Sequence, residues 1–250
     1  MKITVIGATG QIGSQVVSIL TSAGHEVVGA SRSSGVDVLT GAGLAEALAG
    51  ADVAVDVTNS PSFDDEPVLS FFTAESTNVA AAAAEAGVKH VVVLSIVGAD
   101  TLPDSGYMRA KVAQENVIAE SGLPYTIVRA TQFHEFAEAI LGSLMVDGTV
   151  HVPDARIQPI AAAEVAAVVA ETAQGTPTNG AFDLGGPEKL SFAQLARIVG
   201  ESGVDNAPIV IDGAATYFGA SVDQNSLVTG EGGVLGDLTL RDWLKAKRAV

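Results

Sequence analysis

The chain has 250 residues, 48% of them apolar and 17% charged, which suits one large domain, or one domain with a small lobe, and excludes a disordered chain. Thirteen basic against 29 acidic residues leave a net charge of −16, a field that repels nucleic acid and anionic membrane. The absence of cysteine removes disulfides, thiolate nucleophiles and cysteine-ligated zinc together. No apolar run approaches the ~20 residues that span a bilayer. A strand starts at once, with no cationic segment, apolar core and cleavage site before it, so a cytoplasmic protein is expected.

Five apolar runs, over 2–7, 25–30, 52–57, 89–95 and 125–130, lack strict polar alternation, as parallel strands buried on both faces do. Helices are expected between them over 11–23, 44–49, 67–86 and 107–121. Pro67 suits a first helical turn, and Gly24, Gly50, Gly87 and Gly122 sit just past helix ends. Strand–helix repetition of this kind predicts an α/β fold with a doubly wound parallel, Rossmann-like sheet, its ligand loops along the carboxyl edge. After Ala130 the pattern loosens: a helix over 134–145, short strands over 149–152 and 157–160, a helix over 163–173, a strand over 181–184 and a helix over 191–200. Residues 201–236 are rich in glycine and show no period, and 238–248 reads as an amphipathic helix. The division expected is a Rossmann domain over 1–150 and a small substrate lobe over 151–250, interleaved with elements that return to the sheet.

Gly7-Ala8-Thr9-Gly10-Gln11-Ile12-Gly13 joins the first strand to the first helix. Glycines there permit a tight turn, let the backbone approach a pyrophosphate and let helix and strand pack closely, while the helix amino end favours the negative charge. The position after a strand and before a helix is the context this motif requires. The second strand ends in Ser31-Arg32-Ser33-Ser34, where an NAD site usually carries a carboxylate for the ribose hydroxyl. A guanidinium forks onto phosphate, so Arg32 with Ser33 favours NADP (NADPH) over NAD; alternatively Arg32 stacks on an adenine or points to solvent.

Ser95 ends the fourth strand, and Tyr107 and Lys111 share a face of the next helix. With three tyrosines and six lysines in the chain, only about 0.07 pairs at this spacing are expected by chance. A phenol with pKa near ~10 is a poor acid–base catalyst at neutral pH, and a nearby ammonium lowers that value. A serine across the site then orients a carbonyl oxygen as it exchanges the tyrosine proton.

The glycine loop, Ser95 and the Tyr107/Lys111 pair resemble the short-chain dehydrogenase/reductase superfamily. The Gly7/Gly10/Gly13 spacing resembles its extended and atypical branches. The stretch Ser121-Gly122-Leu123-Pro124-Tyr125-Thr126-Ile127-Val128-Arg129-Ala130-Thr131-Gln132-Phe133 is similar to atypical members of the NmrA-like and NADPH:quinone-reductase-like groups, and Gln158-Pro159-Ile160 and Asp183-Leu184-Gly185-Gly186-Pro187 fit the same branch. The resemblance implies an NAD(P)-binding sheet, with Tyr107 as acid–base, Ser95 orienting substrate and Lys111 also holding the nicotinamide ribose. Val57, Thr58 and Asn59 would line the cofactor, and Ala130, Gln132 and Phe133 would run beside the nicotinamide. The expected activity is hydride transfer between NADPH and a small carbonyl or quinone. The alternative is a non-catalytic NADP-binding regulator, the role implied for atypical relatives that lack the tyrosine or lysine, whereas this chain keeps both. The partner expected is a small molecule, with no nucleic acid and no membrane, in a monomer or homodimer.

Other candidates carry less. His134 either contacts substrate or simply starts a helix. His25, His90 and His151 lack metal-ligand spacing, so no metal is expected. Asp64-Asp65-Glu66 holds a cation or, as a solvated helix start, complements the dipole. Asp56, inside an apolar strand, needs a hydrogen-bond partner if buried.

Overall fold

Apolar strands and intervening helices alternate through the first 130 residues, as the hydrophobic pattern predicts. The structure, a computed structural model, describes residues 1–201 and 207–248. In chain order these elements are β1 (Lys2–Ile6), α1 (Gln11–Ser22), β2 (Glu26–Ala30), α2 (Leu44–Leu48), β3 (Val53–Asp56), α3 (Asp65–Ala86), β4 (His90–Ile96), α4 (Gly106–Glu120) and β5 (Tyr125–Ala130). Then follow α5 (Ala137–Ser143), β6 (Met145–Val146), β7 (Thr149–Val152), β8 (Arg156–Ile157), α6 (Ala162–Gln174) and β9 (Gly180–Gly185). The last are β10 (Leu190–Ser191), α7 (Phe192–Glu201), β11 (Ile209–Ile211), β12 (Val234–Leu235) and α8 (Leu240–Arg248).

Three expectations shift. The helix expected over 134–145 divides into a tight turn at His134–Phe136, then α5, then β6. The strand expected over 157–160 ends at Ile157: Pro159 has no N–H to donate, and Ile160 makes only an isolated bridge with Phe133. Within 201–236, β11 and β12 are two or three residues long, too short for any period to show; residues 202–206 of that stretch lie outside the described residues.

The seven-stranded sheet has the order β12-β9-β5-β4-β3-β1-β2. β1 pairs in parallel with both β2 and β3, Ile3 standing opposite Val27 and Val53. β3 pairs in parallel with β4, placing Asp56 opposite Val93. The chain leaves β1 for β2 on one side and returns to β3 on the other. That reversal creates the switch point at which the loops after β1 and β3 meet, and it makes the fold Rossmann-like.

Two compact units are present. The first comprises Met1–Ser95, Gly106–Arg129 and Val165–Phe182. In it α2, α3 and α4 cover one sheet face: Leu48, Ala80, Ala83 and Ile118 pack on Ala54, Val91, Val93 and Ile127. Small side chains on α3 let that helix approach the sheet closely, and Gly87 ends it with φ +70°. The second unit comprises Ile96–Ser105, Ala130–Glu164 and the described part of Asp183–Val250. It contains the small sheet β11-β7-β6 and the antiparallel pair β10-β8. α7 buries Phe192, Leu195 and Val199 there, and α8 buries Leu240 and Leu244. Among the described residues no helix is long and apolar enough to cross a membrane.

Ile118 is fully buried in the first unit's core. Ile118→Ala is expected to lower stability by about 2–5 kcal/mol in urea unfolding, the cost of lost burial plus a cavity.

Candidate functional site

The loop between β1 and α1 closes on itself, Gly10 N–H donating to the Gly7 carbonyl at 2.9 Å. Gly7 has φ +84°, a left-handed conformation that a side chain would strain. A Cβ there would stand 3.0 Å from the backbone of Val57, so the glycine loop lies directly against the loop that follows β3. At Gly13 a methyl would overlap the Gly7 carbonyl oxygen, which is how the helix comes to sit so close behind its own loop. Gly10 caps α1 with no side-chain bond, and the first turn holds no acidic residue. The N–H groups of that turn, which lack intrahelical partners, and the positive dipole end therefore carry no built-in anion. Thr9, Gly10 and Gln11 are exposed, whereas Ile12 and Gly13 are buried. These residues fit a diphosphate.

At the end of β2, Ser31 caps a single turn, Arg32–Ser34, through a capping box. Its backbone N–H donates to Ser34 Oγ at 2.9 Å, and its hydroxyl lies 2.8 Å from Ser33 Oγ. Arg32 and Ser33 are exposed on this turn. The turn therefore offers one guanidinium and several hydroxyls in a strongly acidic chain.

The loop after β3 is anchored from below. Asp56, fully buried, accepts through Oδ1 from the Thr58 N–H at 3.0 Å and the Thr58 hydroxyl at 2.8 Å. Its Oδ2 accepts from Gln114 Nε2 at 2.9 Å, so α4 supplies the partner that a carboxylate in an apolar strand requires. The same amide nitrogen lies 3.2 Å from Glu75 Oε2, and Gln114 Oε1 accepts from Lys111 Nζ. Lys111, only 3% exposed, also donates to the Leu94 carbonyl at 2.9 Å and stands 4.4 Å above the Phe72 ring. Ser95 donates to Glu115 Oε1 at 2.5 Å, and Arg129 forks onto the same carboxylate at 3.0 and 2.6 Å. Tyr107 donates to Asn59 Oδ1 at 3.1 Å.

Tyr107 and Lys111 thus share the Phe72 ring, which packs edge-on to Tyr107 at 5.9 Å. Their polar atoms have other partners. The expected lowering of the phenol does not occur: burial pushes it up to about 12. The Lys111 ammonium is bonded instead to the Leu94 carbonyl and to Gln114. Burial draws Lys111 itself below the ordinary lysine value, against the pull of Asp56, Glu75 and Glu115. Burial first, and then the neighbouring Asp56, hold Glu75 well above the usual carboxylate range.

In the second unit, Ala130 and Gln132 are buried and Phe133 is half-buried, stacked on Phe136 at 5.7 Å. The Gln132 carbonyl accepts from Ile160 N–H, while both amide atoms of its side chain are buried without a hydrogen bond. His134 is buried, bonded through Nε2 to the Pro159 carbonyl and packed against Trp243, and burial lowers it to about 4. Asp65 and Glu66 occupy the first turn of α3, and Asp65 pairs with Arg109 at 2.6 Å. Among the described residues no carboxylate or histidine cluster has the form of a metal site.

The sequence reading missed Glu75, Gln114 and Glu115. A signal exists for Glu75: Val68, Phe72, Glu75 and Val79 form one buried stripe of α3, interrupted by a single carboxylate. Gln114 likewise sits between Lys111 and Ile118 on the buried side of α4.

A family model described as NAD(P)H-binding matches residues 34–175, a stretch that holds the loop after β3, Ser95, Tyr107, Lys111 and the end of β5. The chain is 33% identical over 232 residues to the (4-alkanoyl-5-oxo-2,5-dihydrofuran-3-yl)methyl phosphate reductase of Streptomyces griseus, with 82% of this chain and 78% of that protein covered. It is 29% identical to the NAD(P)H azoreductase of Xenophilus azovorans over 78% of this chain and 71% of that one. The fold is similar to that of the Escherichia coli NADPH-dependent quinone oxidoreductase QOR2 complexed with NADPH, with TM-score 0.71, 21% identity and coverage of 98% and 99%.

Glu75 offers a test of the buried network. Its folded form keeps a proton that the unfolded chain releases near pH 4.5, so this group's contribution to stability falls as pH rises above that value. Glu75→Gln mimics the protonated acid. In urea unfolding at pH 5, 7 and 8 the variant is expected to gain on the natural protein steadily with pH.

Proposed function

The chain belongs to the NAD(P)H-binding family, among the atypical short-chain dehydrogenases/reductases, and from that premise we propose that it is an NADPH-dependent oxidoreductase acting on a small carbonyl or quinone. The observation that carries this reading is the glycine loop, packed against the loop after β3 at the switch point and free of any acidic residue in the helix turn behind it. A nicotinamide cofactor, when bound, supplies the hydride; the protein's part is to bind, orient and deliver a proton.

Gly7, Thr9, Gly10, Gln11, Ile12 and Gly13 hold the diphosphate through backbone N–H groups. Arg32 and Ser33 take the ribose 2′-phosphate, which distinguishes NADPH from NADH. Val57, Thr58 and Asn59 line the cofactor, as do Ala130, Gln132 and Phe133, and the unsatisfied amide of Gln132 is suited to a carboxamide partner. Tyr107 donates the proton to the substrate oxygen. Burial keeps that phenol protonated at neutral pH, and a value pushed up to about 12 makes it a weaker acid than an ordinary tyrosine, so this shift counts against the assignment rather than for it. Ser95 orients the substrate and Lys111 holds the nicotinamide ribose, while the bonds from Ser95 to Glu115 and from Lys111 to Leu94 hold the middle of α4 against the end of β4. The reductase names of the relatives support the same class of reaction.

A second reading, an NADP-binding regulator without catalysis, is favoured by one observation: Lys111 is bonded elsewhere than to the phenol it was expected to activate. Steady-state oxidation of NADPH against quinones, aldehydes and ketones separates the two, since a regulator turns nothing over. With a carbonyl substrate, Tyr107→Phe is expected to lower kcat at least ~10²-fold, the scale of lost acid–base catalysis; undiminished turnover would remove Tyr107 from the mechanism. In calorimetry, Arg32→Ala is expected to weaken NADPH by about 10–100-fold, the worth of a charge-assisted phosphate bond, and NADH by much less. Equal losses for the two cofactors would end the phosphate assignment.

A further inference from the structure

The Tyr107 hydroxyl is held by a side chain that is itself held. Asn59 Oδ1 accepts the phenol at 3.1 Å and also accepts the Ser60 backbone N–H at 3.0 Å. That second donor decides which end of the carboxamide faces the phenol, because turning the amide would bring its NH₂ against a backbone N–H. The loop beneath Asn59 is equally constrained, since buried Asp56 takes both the N–H and the hydroxyl of Thr58. The phenol ring is gripped from two sides. Phe72 packs edge-on at 5.9 Å, and Phe63, 66% exposed on the same loop, packs at 5.5 Å. Orientation of the ring and direction of its O–H are therefore set by different residues.

We propose that Asn59 is a positioning residue for Tyr107: its amide oxygen aims the phenol and holds its proton until a substrate carbonyl takes the amide's place. This rests on the reading of Tyr107 as the proton donor. Asn59 neither gives nor receives a proton. As the carbonyl carbon gains hydride from reduced nicotinamide, the C=O π bond breaks, its oxygen takes the Tyr107 proton, and water restores the phenol. The same loop touches Gly7, so the backbone that receives the diphosphate also carries the residue that aims the acid.

The experiment is a double-mutant cycle on the full chain with NADPH and a carbonyl substrate, comparing the natural protein, Asn59→Ala, Tyr107→Phe and both together. Asn59→Ala is expected to lower kcat about tenfold at saturating NADPH, through lost alignment of the phenol and over and above any loss of NADPH affinity, which calorimetry reads separately. In the Tyr107→Phe background the same change is expected to cost nothing further. Asn59→Asp, which keeps an oxygen acceptor in place, is expected to retain more of kcat than Asn59→Ala. An Asn59→Ala loss that persists undiminished in the Tyr107→Phe background overturns the proposal, as does an effect confined to NADPH affinity or an unchanged kcat. If Tyr107→Phe alone leaves kcat intact, the proton-donor reading fails first and the positioning role falls with it. Asn59 is exposed, so these variants are expected to fold, and thermal midpoints within a few degrees of the natural protein check it.

Discussion

A single carboxamide, that of Gln114, ties the first unit's site together. Its nitrogen serves two buried carboxyls, Asp56 on β3 and Glu75 on α3, and its oxygen receives Lys111 from the same helix. Without it, Asp56 Oδ2 and Glu75 Oε2 would lose the donor they share. Removing such a partner leaves a buried acceptor unsatisfied, which costs more than the net worth of the bond. Burial first, and then Asp56 beside it, raise the proton affinity of Glu75, which eases the crowding of carboxylates in the cluster.

This network shapes the site through the backbone. Asp56, once fixed by Gln114, fixes Thr58, and the chain that follows runs past the glycine loop and then to Asn59. A cofactor loop and an acid–base candidate are thereby positioned by the same short segment. A second buried group, Ser95 with Glu115 and Arg129, bolts α4 to the ends of β4 and β5. Groups that look catalytic by residue type thus divide into Arg32, exposed on its turn, Tyr107, bonded to the loop after β3, and Ser95 and Lys111, bonded within the frame. Preorganisation of this kind is what a site needs if its donors are not to rearrange at the moment of reaction.

Periodicity made the sheet legible. Runs such as Val91-Val92-Val93 have no polar face, so they belong to buried parallel strands, and the glycines after each helix mark where the chain turns back. The glycine loop was readable because its function lies in the backbone, and the residues that permit that backbone are named in the sequence. Asp56 was recognisable as needing a partner, yet nothing local said that Gln114, 58 residues away, would provide it. The small strands β6, β10, β11 and β12 stayed invisible because two or three residues cannot display a period.

Sequence alone determined the α/β class, the place of the glycine loop, the cationic turn after β2 and the shared helix face of Tyr107 and Lys111. These follow from local pattern: a strand buried on both faces is a short unbroken apolar run, a helix repeats, and a turn demands glycine. Tertiary structure decided where the ammonium and the serine hydroxyl spend their hydrogen bonds, and so which way each group's proton affinity moves. Burial and the identity of partners distant in the chain set those quantities, because a proton's free energy depends on the surrounding medium and charges rather than on neighbours along the backbone.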